Sequence, residues 1–90
     1  MKAKPFNTEY FNSIKSAPVR RYCLWLIGSP GYAYSMFNGM ATDLKEGDDD
    51  SLAVWEDTYP AETALFRKHI EKSTETEEIQ KQLFKINNQT

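Results

Sequence analysis

Apolar positions along this chain recur at the period of an α-helix, most regularly in two consecutive stretches. In residues 18–27 the set Val19, Tyr22, Cys23, Leu26 and Ile27 falls at i, i+3, i+4, i+7 and i+8. That spacing puts all five on one helical face and leaves Arg20 and Arg21 off it. Pro18 suits a first turn, where its missing N–H has no intrahelical partner to lose, and Gly28 suits a left-handed stop. A buried strand over residues 22–27 fits the same continuous apolar run and is the competing expectation.

The second stretch predicts a helix over residues 32–44, because Tyr32, Ala33, Met36, Phe37, Met40, Ala41 and Leu44 repeat every four residues. Ser29 is its expected cap, Pro30 its first residue and Gly47 its stop. Asn38-Gly39 inside it is the commonest signal of a two-residue hairpin, so the alternative is an α+β fold with a hairpin there. A hairpin would set Tyr32, Tyr34 and Met36 against Ala33, Ser35 and Phe37, a poorer separation of apolar from polar. The helix is preferred, at a cost for Gly39 of about 1 kcal/mol relative to Ala.

Weaker signals flank this pair. A short helix over residues 8–16 would turn Tyr10, Phe11 and Ile14 inward, and a helical turn over residues 51–57 would do the same for Leu52 and Trp55. Tyr59-Pro60-Ala61-Glu62 reads as a restart, with Pro60 at the first position and Glu62 near the positive end of the dipole; that helix carries Ala64, Leu65, Phe66 and Ile70. No apolar residue follows until Ile79, and Thr74 with Glu77 makes a capping-box pattern, which predicts a break near Ser73. The last helix would present Ile79, Leu83 and Ile86, with Lys81 and Lys85 late, and residues 87–90 are expected to fray. The expected fold class is all-α, a compact bundle of five or six short helices.

Ninety residues are enough for one domain with a thin stability margin, and an apolar content of 40% is too high for a disordered chain. The lone cysteine, Cys23, lies among Tyr22, Leu24, Trp25 and Leu26 and is expected to be a buried small hydrophobe. No apolar run approaches the ~18 residues of a membrane span, and residues 1–5 lead into no apolar signal segment, so the cytoplasm is the expected address.

Charge changes the picture more than composition does. Residues 1–42 set five basic groups against Glu9, residues 43–62 set Lys45 against eight carboxylates, and the remainder is nearly balanced. The whole chain is −2, yet the middle segment alone is −7.

Chemistry is harder to place. The single histidine, His69, falls at the edge of an apolar face and is expected to be partly exposed with a local hydrogen bond, not a catalytic base. No nucleophile elbow, phosphate-binding loop or dinucleotide fingerprint is present, so the chain is not expected to be an enzyme or to carry a cofactor. One Cys and one His fall short of a zinc tetrad. Glu46, Asp48 and Asp50 alternate as in a calcium loop with Asp57 at the twelfth position, but Ser51 replaces the sixth-position glycine and Asp57 is shorter than the usual Glu, so no metal is expected. Nucleic acid is disfavoured as a partner: the helix after Gly28 contains no Arg, and its nearest Lys is Lys45. A pI near 5.3 also opposes it.

The acidic segment is the feature best matched to a specific function. Asp48, Asp49, Asp50, Glu56 and Asp57 would attract a basic protein surface, and Trp55 with Tyr59 would anchor it, unless those two rings belong to the core. Lys45-Glu46-Gly47-Asp48-Asp49-Asp50-Ser51 resembles an acidic loop of the immunity proteins of DNase colicins, small four-helix proteins that neutralise a basic nuclease. The resemblance covers seven residues; Leu52 stands where that family tends to have Pro, the chain before Asp43 departs from it, and no residue role is carried over. The expected function is therefore a small inhibitor, antitoxin, immunity or adaptor protein. The competing expectations are a DNA-associated regulator using Arg20 and Arg21, and a subunit that forms a homodimer or larger assembly through Phe37, Met40 or the Ile79, Leu83, Ile86 stripe.

Overall fold

The computed structural model describes residues 4–85, and over them every regular element is an α-helix: α1 (Thr8–Ser13), α2 (Ala17–Leu26), α3 (Tyr32–Glu46), α4 (Asp49–Thr58), α5 (Pro60–Ile70) and α6 (Thr74–Leu83). Neither the strand over residues 22–27 nor the hairpin at Asn38-Gly39 forms, and the fold is all-α. Residues 86–90, and with them Ile86 and the expected fraying, lie outside the described residues.

Helix ends differ from expectation at α1, α3, α4 and α6, at α4 and α6 because a side chain caps the first turn. α1 stops at Ser13, with Ile14 already extended at φ −73°, ψ 123°. α3 is not capped by Ser29; Gly31 precedes it at φ 144°, ψ −163°, a backbone that favours glycine, and Ser29 and Pro30 lie in the connection. α4 begins two residues earlier than its apolar pattern because Asp48 caps it, its carboxylate accepting from Ser51 N at 3.0 Å and Ser51 Oγ at 2.8 Å. α6 is capped by Ser73 rather than Thr74, its hydroxyl accepting from Thr76 N at 3.3 Å. α5 ends with Lys72 at φ 56°, while Ser73 N donates to Lys68 O and Lys72 N to His69 O. This is a Schellman closure with lysine in the place glycine normally takes.

One apolar cluster runs through the molecule: Tyr22, Cys23 and Ile27 of α2 and its end, Met36, Phe37 and Met40 of α3, Leu65 and Phe66 of α5, Ile79 and Leu83 of α6. The periodic sets read from α2 and α3, apart from Tyr32 and Leu44 at the two ends of α3, are those that turn inward, because a helix buries the stripe that leaves least apolar area in water. Leu44 and Ile70 are corrections, 39% and 50% exposed, and Ala64 is also exposed. Thr63 and Thr76 are buried instead, and each bonds a helix end: Thr63 Oγ1 donates to Trp55 O at 3.0 Å, and Thr76 Oγ1 to Lys68 O at 3.3 Å. A small polar side chain placed there satisfies its own buried hydroxyl on the second lone pair of a helix-end carbonyl that already accepts a backbone N–H.

The two indoles fix α3 from opposite sides. Trp25 stacks on Phe37 at 5.1 Å and donates its N–H to Asn38 Oδ1 at 3.0 Å. Trp55 crosses Gly39 so closely that a Cβ there would lie 2.7 Å from Cζ2 of the ring, and its N–H donates to Asp43 Oδ2 at 2.7 Å. Asn38-Gly39 is thus a receptor for two tryptophans and not a turn.

Arg21 and Glu62 tie α2 to α5: the Glu62 side chain is 6% exposed and Arg21 Nη1 donates to it, while Arg21 remains 40% exposed. Removing the cation would leave a nearly buried carboxylate without its charged partner. Arg21→Ala is expected to destabilise the fold by about 2 kcal/mol, less than the ~3–5 of a fully buried pair because water reaches Arg21. Glu62→Gln in that background should restore part of the loss, as read by urea denaturation of the native chain and the two variants.

Candidate functional site

α4 carries most of the residues that the sequence marks for binding, and it distributes them over three directions. Leu52, Trp55 and Tyr59, at i, i+3 and i+7, turn toward α3 and the core; Leu52 is buried and the two aromatic residues are half-buried. Asp50, Ala53, Val54 and Asp57, at i, i+3, i+4 and i+7, face outward and all four are exposed, Val54 by 63%. Glu56 points sideways to α5, where its carboxylate accepts from Arg67 Nε at 2.9 Å. The five acidic and two aromatic residues expected to form one surface therefore do not converge.

Their roles divide accordingly. Asp48 is committed to the helix cap, and the bonds from the Ser51 N–H and hydroxyl hold its carboxyl below the usual range. Asp49, Asp50 and Asp57 are exposed and make no salt bridge among the described residues. Their charges remain available to an external cation, and Asp49 and Asp50 also sit at the positive end of α4, which stabilises them there.

Trp55 and Tyr59 form one wall of a cleft of about 180 Å³ between α3 and α4, completed by Tyr32, Ser35 and Met36. Trp55 and Tyr59 lie 5.9 Å apart with rings tilted 35°, and Tyr32 meets Tyr59 edge-on at 6.2 Å. The Tyr32 hydroxyl donates to the Tyr59 hydroxyl, and this bond is the first cause of a raised Tyr32 pKa. Tyr32, at 61% exposure, stands at the mouth. Sequence reasoning counted Tyr32 as a core position of α3 and so missed it; its place at the very first turn, where a helix end is less covered than its middle, is the signal that would have marked it. A second groove of about 80 Å³, lined by Leu44, Leu52, Thr63, Phe66, Arg67, Ile70 and Glu71, opens on the α5 side of α4.

The remaining candidates are absorbed by the fold. Arg20 lies 4.2 Å over the Phe11 ring and donates to Phe11 O at 3.0 Å, and Arg21 is held by Glu62, so both guanidiniums on α2 have intramolecular partners. Phe37, Met40 and Leu83 are fully buried and Ile79 nearly so, which corrects the expectation that they present an assembly surface. Cys23 is fully buried and burial pushes its thiol up to about 11, so it is largely protonated and inert at neutral pH. Among the described residues, no group of three His, Cys, Asp or Glu is placed to hold a metal, and no helix is long and apolar enough to cross a membrane.

His69 is half-buried as expected, but its hydrogen bond is not local. Tyr22, 47 residues earlier, meets Nδ1 at 2.8 Å, and Gln80 Nε2 donates to the Tyr22 hydroxyl at 3.2 Å. The phenol, while accepting from Gln80, keeps its own proton to donate to Nδ1 of a neutral ring protonated on Nε2. Burial lowers the His69 pKa, partly opposed by Glu77, and burial raises that of Tyr22 to about 12. Because the folded state disfavours the imidazolium, this contribution to stability is fully present above the unfolded pKa of 6.5 and is lost as pH falls through the lower folded value. The chain has one histidine, so a single ring titration by NMR should give a midpoint below 6.5, and unfolding free energy should fall between pH 7 and pH 5 in the native chain and stay flatter in His69→Gln. A midpoint at or above 6.5 would contradict the arrangement.

No family model, curated protein or solved structure matches the chain, and the seven-residue likeness to colicin immunity proteins therefore has no wider support. Function has to be read from the geometry of α4 and its neighbours.

Proposed function

We propose that this chain is a non-enzymatic protein-binding module of the cytoplasm, a small inhibitor, antitoxin, immunity or adaptor protein that occludes a basic surface of a larger protein. The observation that carries this reading is the outward face of α4, where Asp49, Asp50 and Asp57 have no intramolecular cation and flank the exposed Val54. Unpaired charge of one sign steers an oppositely charged partner and fixes its register, and an exposed apolar side chain among such charges gives contact area once water is excluded. Asp48 and Glu56 contribute to the field, but their first roles are a helix cap and a pair with Arg67. The −7 balance of residues 43–62 is thus concentrated on one helix and its flanks.

The partner is best sought by capture from a lysate of the source cells, with the native chain and an Asp49, Asp50, Asp57→Lys variant as parallel baits. These positions are exposed, so the variant should fold, at a cost of about 1–2 kcal/mol for setting two lysines at the positive end of α4. One stoichiometric basic partner is expected on the native bait, with affinity falling steeply as salt rises. The variant should bind it about 10²-fold more weakly, from roughly 1 kcal/mol per charge, and with a flatter salt dependence. Equal affinity and equal salt dependence for both baits would overturn the reading.

A further inference from the structure

The geometry points to the cleft between α3 and α4 as the seat of an arginine side chain supplied by the basic partner, an inference that rests on the binding reading above. Three aromatic rings, Tyr32, Trp55 and Tyr59, line the cleft with Met36 and Ser35, and its volume of about 180 Å³ is on the scale of one side chain rather than a helix. An aromatic cleft alone would accept leucine as readily as a cation. Charge decides between them.

The Asp43 carboxylate accepts the Trp55 N–H at 2.7 Å and makes no salt bridge among the described residues. An anion on the N–H end of an indole adds to the negative potential of its ring faces, where a cation is attracted. Asp49, Asp50 and Asp57 on the same helix deepen the field. The cation that influences the cleft mouth is Arg21, acting on Tyr32, and Glu62 neutralises it there. An entering positive group therefore meets a net negative surround.

Guanidinium fits these walls better than ammonium. It is flat, weakly hydrated and stacks on ring faces, whereas ammonium is a compact and strongly hydrated point charge. Its forked N–H groups also need acceptors, and the hydroxyl oxygens of Ser35, Tyr32 and Tyr59 lie on lining residues. The Tyr32–Tyr59 bond uses one donor and leaves lone pairs on both phenols. Tyr32 can swing without disturbing the core, because it is exposed and stands at the first turn of α3.

The test is a titration of the full chain with N-acetyl-arginine amide, followed on the two indole N–H signals, with N-acetyl-lysine amide and N-acetyl-norleucine amide in parallel. Salt near 1 M, where screening acts within about 3 Å, removes long-range attraction. Arginine amide is expected to move the Trp55 signal saturably, by about threefold more than either control, while the Trp25 signal, bonded to Asn38, stays in place and reports an intact fold. Tyr32→Ala should lose most of the Trp55 response, and the Asp49, Asp50, Asp57→Lys variant should keep it, so failure of the acidic ridge and failure of the cleft give different results. A norleucine or lysine response equal to that of arginine, no saturable response to arginine, or an undiminished response in Tyr32→Ala would each overturn the assignment.

Discussion

The ring of Trp55 occupies the space that any side chain at position 39 would need, and most of the molecule is arranged around that contact. A helix interior tolerates glycine at a cost of about 1 kcal/mol, which only a close approach repays. Here the approach brings α4 onto α3, lets the indole N–H reach Asp43, and sets Trp55 beside Tyr59. On the other side of the same two residues, Asn38 receives the N–H of Trp25, which also stacks on Phe37 and meets His69 edge-on. α3 is therefore held by α2 and α4 at one level, and α5 closes both gaps through Leu65, Phe66 and the Glu62 carboxylate.

Placing α4 this way sets the division of labour in the acidic segment. The contact with Gly39 points Trp55 and Tyr59 inward, and helical geometry then obliges Asp50 and Asp57 to point outward, roughly half a turn away. One helix presents an acid ridge to solvent and, along its flank, one wall of an aromatic cleft. On the binding reading proposed above, a partner that covers both would wrap the exposed side of α4 and reach Tyr32.

Much of the fold was legible because it rests on local rules. The i, i+3, i+4 spacing in α2 and α3, the prolines at Pro18 and Pro60, and the stops at Gly28 and Gly47 each act within one helical turn, and the helices form where these signals stand. What was not legible depends on partners distant in sequence. The four-residue period already favoured a helix through Asn38-Gly39, but not the two tryptophans seated there; His69 finds Tyr22 across 47 residues, and Glu62 is buried because Arg21 reaches it. The site was legible in composition but not in geometry. Asp48, Asp49, Asp50, Glu56 and Asp57 are contiguous enough to read as one patch, yet a cap, a helix face and a pair with Arg67 separate them. Tyr32 was hidden because the period that identifies α3 does not say where its neighbours end.

The dependence of the structure on the Trp55–Gly39 contact is tested most directly by a double-mutant cycle of Gly39→Ala with Trp55→Leu, measured by equilibrium denaturation. In the native background Gly39→Ala should destabilise by about 1–2 kcal/mol, the steric clash outweighing a helix-propensity gain near 1 kcal/mol. With Trp55 replaced by the smaller leucine, the same substitution should turn neutral or stabilising. An equal effect of Gly39→Ala in both backgrounds would contradict the account.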